Sequence, residues 1–160
     1  MKAYRLVHAF ELAKNPPFKP SPNRLGRWTH DYAAAYASEH LALAALEILG
    51  QWSAFADLNW YSILAFNLEE GDVETALDTD PRLDIRDKVA TQRFGDEWIR
   101  TGRSLALRVP SVRLPYSNNF LINPDHRSFN ETNIEQLGEL YWDEPIGRLI
   151  AAAKANQRKK

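Results

Sequence analysis

The sequence predicts an α+β fold organised as one compact domain, residues 1–160, on three observations. At 160 residues and 18.3 kDa the chain can bury one sizeable core and falls short of two. Apolar residues make up 44% and charged residues 26%, the ordinary make-up of a globular protein. Stretches of two-residue alternation and stretches of helical spacing are interleaved irregularly along the chain.

Taken in order, residues 2–10 set Tyr4, Leu6, His8 and Phe10 against Lys2, Arg5 and Val7, the alternation of a strand. Residues 14–24 carry Pro16, Pro17, Pro20 and Pro22 and must be a loop or arm. Residues 33–37 form a short apolar strand of small residues around Tyr36. Ser38 and Glu39 offer an N-cap and an acidic first turn for a helix reaching about Leu49, with Gly50 as its stop. Leu41, Ala45, Ile48 and Leu49 make its core stripe, and His40, Ala44 and Glu47 share the neighbouring face. Residues 60–68 read as a buried strand, and 69–88 as an acidic, turn-rich stretch with a short helix at 73–78. A helix from Thr91 to Arg103 is interrupted by Gly95 and turns Trp98 and Ile99 inward. Strands at 104–109 and 119–122 are halted by Pro110 and Pro124, and 134–142 is a further strand. Asp143, Glu144 and Pro145 open a final helix through Ala155, and the basic tail 156–160 is expected to fray.

Composition removes several kinds of chemistry. Lys plus Arg (20) and Asp plus Glu (21) leave a net charge of −1, against the positive excess that direct nucleic-acid binding needs. Without cysteine there is no disulfide framework, zinc finger, iron–sulfur site or thiol nucleophile. No apolar run approaches the ~20 residues that span a bilayer, so the cytoplasm is the expected location. Gly-x-Gly-x-x-Gly, phosphate-binding-loop, His-Glu-x-x-His and Gly-x-Ser-x-Gly motifs are missing. His8, His30, His40 and His126 lie far apart, so structural or surface roles and no metal site are expected. Aromatic residues at 11% could fill a core or line a pocket for a flat ligand.

Four polar residues sit in otherwise apolar or small surroundings. Arg27 lies between Gly26 and Trp28, a planar cation placed to meet a phosphate or to stack on the indole. Tyr36 reads as a core tyrosine of its small strand. Glu47 lies late in its helix, where the dipole disfavours an acid, so it faces solvent or is held in a pocket. Ser111 follows a strand end and Pro110 as an ordinary turn serine would.

Together these segments resemble the RES-domain family. The carrying residues are Gly26-Arg27-Trp28, Tyr36-Ala37-Ser38 and Leu43-Ala44-Ala45-Leu46-Glu47 in the first half. In the second half they are Gly95-Asp96-Glu97-Trp98, Leu107-Arg108-Val109-Pro110-Ser111 and Asn119-Phe120-Leu121-Ile122-Asn123-Pro124-Asp125-His126. The resemblance spans about residues 4–150; the Pro-rich approach to Arg24 and the Trp142-Asp143-Glu144-Pro145 ending match more loosely. It implies a fold related to bacterial ADP-ribosyltransferase toxins and a toxin of a type II toxin–antitoxin pair that consumes NAD. It implies Arg27, Tyr36, Glu47 and Ser111 as the active set, with Asn119 as a further candidate, and no metal. The implied partner is an Xre-like helix-turn-helix antitoxin that blocks the site, and a protein target of ADP-ribosylation is a second possible partner.

The chemistry of NAD suits those residue types. Breaking the nicotinamide–ribose bond leaves a neutral base and an oxocarbenium-like ribose, so an anion is wanted and an acid is not. Glu47 would supply the anion or hold a ribose hydroxyl, and Arg27 would clamp the pyrophosphate. Tyr36 offers a face to the nicotinamide ring and Ser111 a hydroxyl to ribose or carboxamide. Water, phosphate or a protein side chain could then attack C1′, giving a glycohydrolase, a phosphorylase or an ADP-ribosyltransferase. Two other readings compete: an RNA-cleaving toxin, which the charge balance disfavours, and a non-catalytic module that binds a dinucleotide.

Overall fold

The structure is a computed structural model that describes residues 1–18, 26–50 and 60–157. Among the described residues one mixed sheet organises the chain. Its strands are β1 (Lys2–His8), β2 (Ala35–Ser38), β3 (Tyr61–Asn67), β4 (Val73–Thr75), β5 (Ala106–Pro110), β6 (Asn118–Ile122) and β7 (Ile134–Glu139). They lie in the order β4-β5-β6-β2-β1-β3-β7, antiparallel throughout except for the parallel β4–β5 pair. Among the described residues five α-helices accompany them, α1 (Ala9–Leu12), α2 (Leu41–Gly50), α3 (Ala76–Thr79), α4 (Lys88–Thr101) and α5 (Glu144–Gln157), with short 3-10 turns at Glu70–Asp72 and Glu131–Asn133. Helices and antiparallel strands are thus mixed in one α+β unit.

Strand alternation divides the apolar residues between two faces. One face carries Ala3, Val7, Ala35, Ala37, Phe66, Ala106, Phe120 and Ile122, covered by Phe18 and Phe129. On the other, Leu107, Val109, Leu121 and Tyr36 meet Trp28, Ala34 and Trp98 from the 26–34 segment and α4. Farther along that second face, Leu6 and Tyr61 meet Ile48 of α2 and Ile150 of α5. Each fully buried Leu or Val there contributes about 1.5–3 kcal/mol relative to exposure.

Most of the expected elements form where the patterns put them, and the differences have local causes. The first strand ends at His8, because the chain turns into α1 and His8 Nδ1 accepts from Phe10 N–H. Ser38 and Glu39 do not cap α2. Ser38 closes β2 with its hydroxyl on Asn119, and Glu39 accepts from the backbone and side chain of Asn118, so the helix opens at Leu41. Of the expected stripe Leu41, Ala45, Ile48 and Leu49, Ile48 is buried and Leu49 packs half-buried beside it, and the other buried positions are Leu43 and Ala44. It also runs through Gly50.

The expected helix at 73–78 splits into β4 and α3, since residues 73–75 extend the sheet beside β5. Asp87, not a residue near Thr91, starts α4: its carboxylate accepts from Val89 and Ala90 N–H, and Gly102 ends the helix at φ 58°. Gly95 does not interrupt that helix. It lets α4 touch the 26–29 segment, where a Cβ would fall 1.8 Å from the Trp28 carbonyl oxygen. The last strand stops at Glu139, and Asp143 caps α5 as its sequence suggests. Of the Pro-rich 14–24 segment, 14–18 form turns and the rest lies outside the described residues, as does 158–160 of the tail.

Candidate functional site

Glu47 projects from the last turn of α2 into the seam between the two clusters on the second face. Strand parity puts Ser38, Ser111 and Asn119 on that same face, along with Tyr36. The bonds follow from this placement. Asn119 Nδ2 donates to Glu47 Oε1 at 2.8 Å and Ser111 Oγ donates to the same oxygen at 3.2 Å. Arg113 Nε donates to Oε2 at 2.5 Å. With its side chain 24% exposed, the carboxylate is half enclosed and has donors on both oxygens.

Each donor is itself held. Asn119 Oδ1 accepts from Ser38 Oγ at 2.7 Å, which fixes the amide's orientation. Ser111 is buried, donates its N–H to the Ser117 carbonyl at 2.8 Å, and accepts at Oγ from Arg113 and Leu114 N–H. One serine therefore pins the 111–117 loop and orients the glutamate. These three donors answer the dipole objection to an acid late in a helix: charge-assisted bonds outweigh an end effect of a few tenths of a kcal/mol.

Tyr36 and Arg27 form a second group. The Tyr36 hydroxyl accepts from Trp28 N–H at 3.2 Å and shares a bond with Thr29 Oγ1 at 3.2 Å. Burial pushes its phenol above the ordinary value. Gly26 is needed for this contact, because a Cβ would fall 2.0 Å from the tyrosine oxygen. Its missing side chain thus makes room for Tyr36. Helix α4 completes the clamp: Thr91 Oγ1 donates to the Arg27 carbonyl and Gln92 Nε2 to the Gly26 carbonyl. Arg27 itself is half-buried, and its Nη1 donates to the carbonyls of Ile85 and Arg86, both at 3.4 Å, the long limit of a hydrogen bond.

The fold therefore joins Glu47, Ser111 and Asn119 by direct bonds and puts Tyr36 one same-face position from Ser38. Arg27 is tied to Tyr36 through the backbone of its loop, and its guanidinium bonds carbonyls of the 85–86 turn. Arg113 was not legible as a member of the group; the sequence signal for it is a glycine, Gly50, one turn after Glu47.

The four histidines lie apart in sequence, and at His30 the fold adds two carboxylate neighbours. Ligand atoms of His30, Asp31 and Asp96 lie within 4.8 Å of one another, because α4 brings Asp96 to a segment some sixty residues earlier. The Asp96 carboxylate is spent there on the N–H groups of His30, Asp31 and Tyr32, at 3.0–3.3 Å. A cavity of about 660 Å³ at the C-terminal end of α4, lined by Tyr32, Arg100, Asn123, His126 and Arg127 among others, includes none of the five candidate residues. Among the described residues no helix is long and apolar enough to cross a membrane.

Residues 2–143 match the RES domain family. A curated protein called Toxin Res from Yersinia enterocolitica is 32% identical over 133 residues, covering 81% of this chain and 88% of that protein. Another Toxin Res, from Photorhabdus laumondii, is 31% identical over 112 residues, covering 66% of this chain and 70% of its own.

Proposed function

This chain belongs to the RES-domain family, and on that premise we propose that it is a toxin that cleaves the nicotinamide–ribose bond of NAD. The observation that carries the reading is the Glu47 carboxylate, oriented by Ser111 and Asn119 on the sheet face that also bears Tyr36. An anion held in place before reaction stabilises a developing cation without the cost of reorganising around it.

In this reading the C1′–nitrogen bond breaks and its electron pair departs with neutral nicotinamide. Glu47 faces the positive charge that collects on the ribose, and Ser111 Oγ is close enough to bond a ribose hydroxyl or the carboxamide. The Tyr36 ring packs against the base, and Arg27 exchanges two weak carbonyl contacts for a bidentate grip on the pyrophosphate. An acceptor oxygen from water, phosphate or a protein side chain then bonds C1′ and releases its proton to solvent. No step requires a metal or a thiol.

A toxin needs a cognate antitoxin, and we assign that role to an Xre-like helix-turn-helix protein that occludes the site, both acting in the cytoplasm. The test is incubation of the purified protein with NAD, with and without phosphate and cell lysate, followed by identification of the products. Free nicotinamide together with ADP-ribose, its 1-phosphate or a labelled protein is the expected result, and each names the acceptor. A folded protein that binds NAD and releases no nicotinamide would instead be a sensing module. Expression without the antitoxin should arrest growth, and full growth with soluble product would remove the toxin assignment.

A further inference from the structure

The Glu47 carboxylate has a cation seated on it by construction. Arg113 Nε lies 2.5 Å from Oε2, and the far end of the guanidinium rests on Gly50, where a Cβ would fall 1.9 Å from Nη1 and 2.2 Å from Cζ. Glu47 and Gly50 are three residues apart and share one side of α2, so the carboxylate and the gap beside it face the same guanidinium. Two observations, an ion pair and a glycine whose side chain would occupy the cation's place, thus describe one seat. The backbone of Arg113 is pinned by its N–H to Ser111 Oγ, while its side chain is 35% exposed and its neighbours Val112 and Leu114 are exposed.

We infer that Arg113 is a displaceable counter-ion, which neutralises Glu47 in the empty site and yields Oε2 to the cationic nicotinamide–ribose end of the substrate. The inference rests on the proposed reading of Glu47. It follows from the division of labour between the two oxygens: Oε1 is committed to the neutral donors Ser111 and Asn119, and Oε2 to a charge. Two cations cannot share Oε2 without repulsion, so entry of one requires departure of the other. The exchange replaces one positive charge by another, so the glutamate is paired with a cation both before and after it. Only the guanidinium has to move, because Oε1 keeps the carboxylate oriented. Arg113 is in this sense a positioning residue that acts through Glu47.

Two variants test it by opposite routes. Arg113→Ala removes the counter-ion; Gly50→Ala keeps the charge and fills its seat. The backbone at Gly50 lies outside the left-handed region, and alanine favours a helix over glycine, so the second variant should fold. The probe is nicotinamide riboside, which carries the cationic ring and ribose without a pyrophosphate. Each variant should bind it about two- to fivefold more tightly than wild type, the scale of a partly exposed ion pair. KM for NAD should fall in step with little change in kcat, and Glu47→Gln added to Arg113→Ala should erase the gain. A higher KM in Arg113→Ala would make Arg113 a substrate contact, and a lower kcat at constant KM would place it in the chemical step. Either result, or a Gly50→Ala protein indistinguishable from wild type, overturns the inference while leaving the NAD reading intact. A natively melting wild type that neither binds the probe nor cleaves NAD overturns both.

Discussion

The Asn119 amide bridges two strands' worth of chemistry: it donates to Glu47 Oε1 at 2.8 Å while its carbonyl oxygen accepts from Ser38 at 2.7 Å. Replacing it by aspartate would set two carboxylates within hydrogen-bond distance, and one of the pair would then hold its proton to higher pH. If turnover needs an ionised Glu47, the acid limb of kcat/KM in Asn119→Asp should move to higher pH. The stability sign is equally definite: a raised folded pKa gives stability that is present at low pH and lost as pH rises through that value. Rate and melting profiles from acid to neutral pH check both, and an unmoved acid limb would separate the rate from Glu47 ionisation.

Glu47→Gln keeps the shape and removes the charge. Turnover of NAD should fall by on the order of 10²–10³, with much less change in its binding, since C1′ becomes positive mainly as nicotinamide leaves. The late-helix position alone predicts no loss of stability in this variant. The ion pair with Arg113 reverses that, and a loss of about 0–1 kcal/mol is expected by thermal melting. Turnover within about twofold of wild type would remove Glu47 from the catalytic role.

Arg27→Ala should weaken NAD binding more than it slows the bound complex, because the pyrophosphate is charged throughout the reaction. One charge-assisted contact is worth roughly 1.5–3 kcal/mol, or about a 10- to 150-fold loss of affinity. The fold should tolerate the change, since the arginine's own bonds are two carbonyl contacts at 3.4 Å. Calorimetry with NAD decides it, and an unchanged dissociation constant would free Arg27 from the phosphate role.

Tyr36→Phe separates the tyrosine's ring from its hydroxyl. Loss of the bonds to Trp28 and Thr29 should cost about 1 kcal/mol at neutral pH. Burial favours the neutral phenol, so Tyr36 contributes stability that persists below its unfolded pKa and disappears as pH rises from about 10. The gap in melting temperature between wild type and variant should therefore narrow above about pH 10. A constant gap up to the alkaline limit would show that Tyr36 ionises as freely folded as unfolded.

What the sequence made legible was whatever local periodicity or a specific motif could carry. The strands at 2–8 and 61–67 announce themselves by alternation and composition and the one at 106–110 also by Pro110, and Ser111 and Asn119 stand out through the family resemblance. Ser38 was legible as a polar residue ahead of an apolar helix, yet its hydroxyl serves Asn119, a partner 81 positions away. No local pattern encodes that choice. Residues 73–75 carry three positions of strand, too few for alternation to declare itself, and the parallel partner β5 alone makes them one. Arg113 hid for the same reason, in an exposed loop without periodicity, its significance lying in the space left by Gly50.

Asp96 gives the arginine loop an unusual kinetic character. Its carboxylate gathers the amides of His30, Asp31 and Tyr32, three consecutive groups that belong to no strand or helix. Deuterium can reach those amides only when the carboxylate lets go, and Asp96 is carried by the middle of α4, two residues before the fully buried Trp98. This surface loop is thereby held to a core helix by one side chain, whose rotation frees the amides while the helix stays formed. The amides just beyond Arg27 should therefore exchange more slowly than those of an uncapped surface loop, and Asp96→Ala should release them while the rest of α4 keeps its protection.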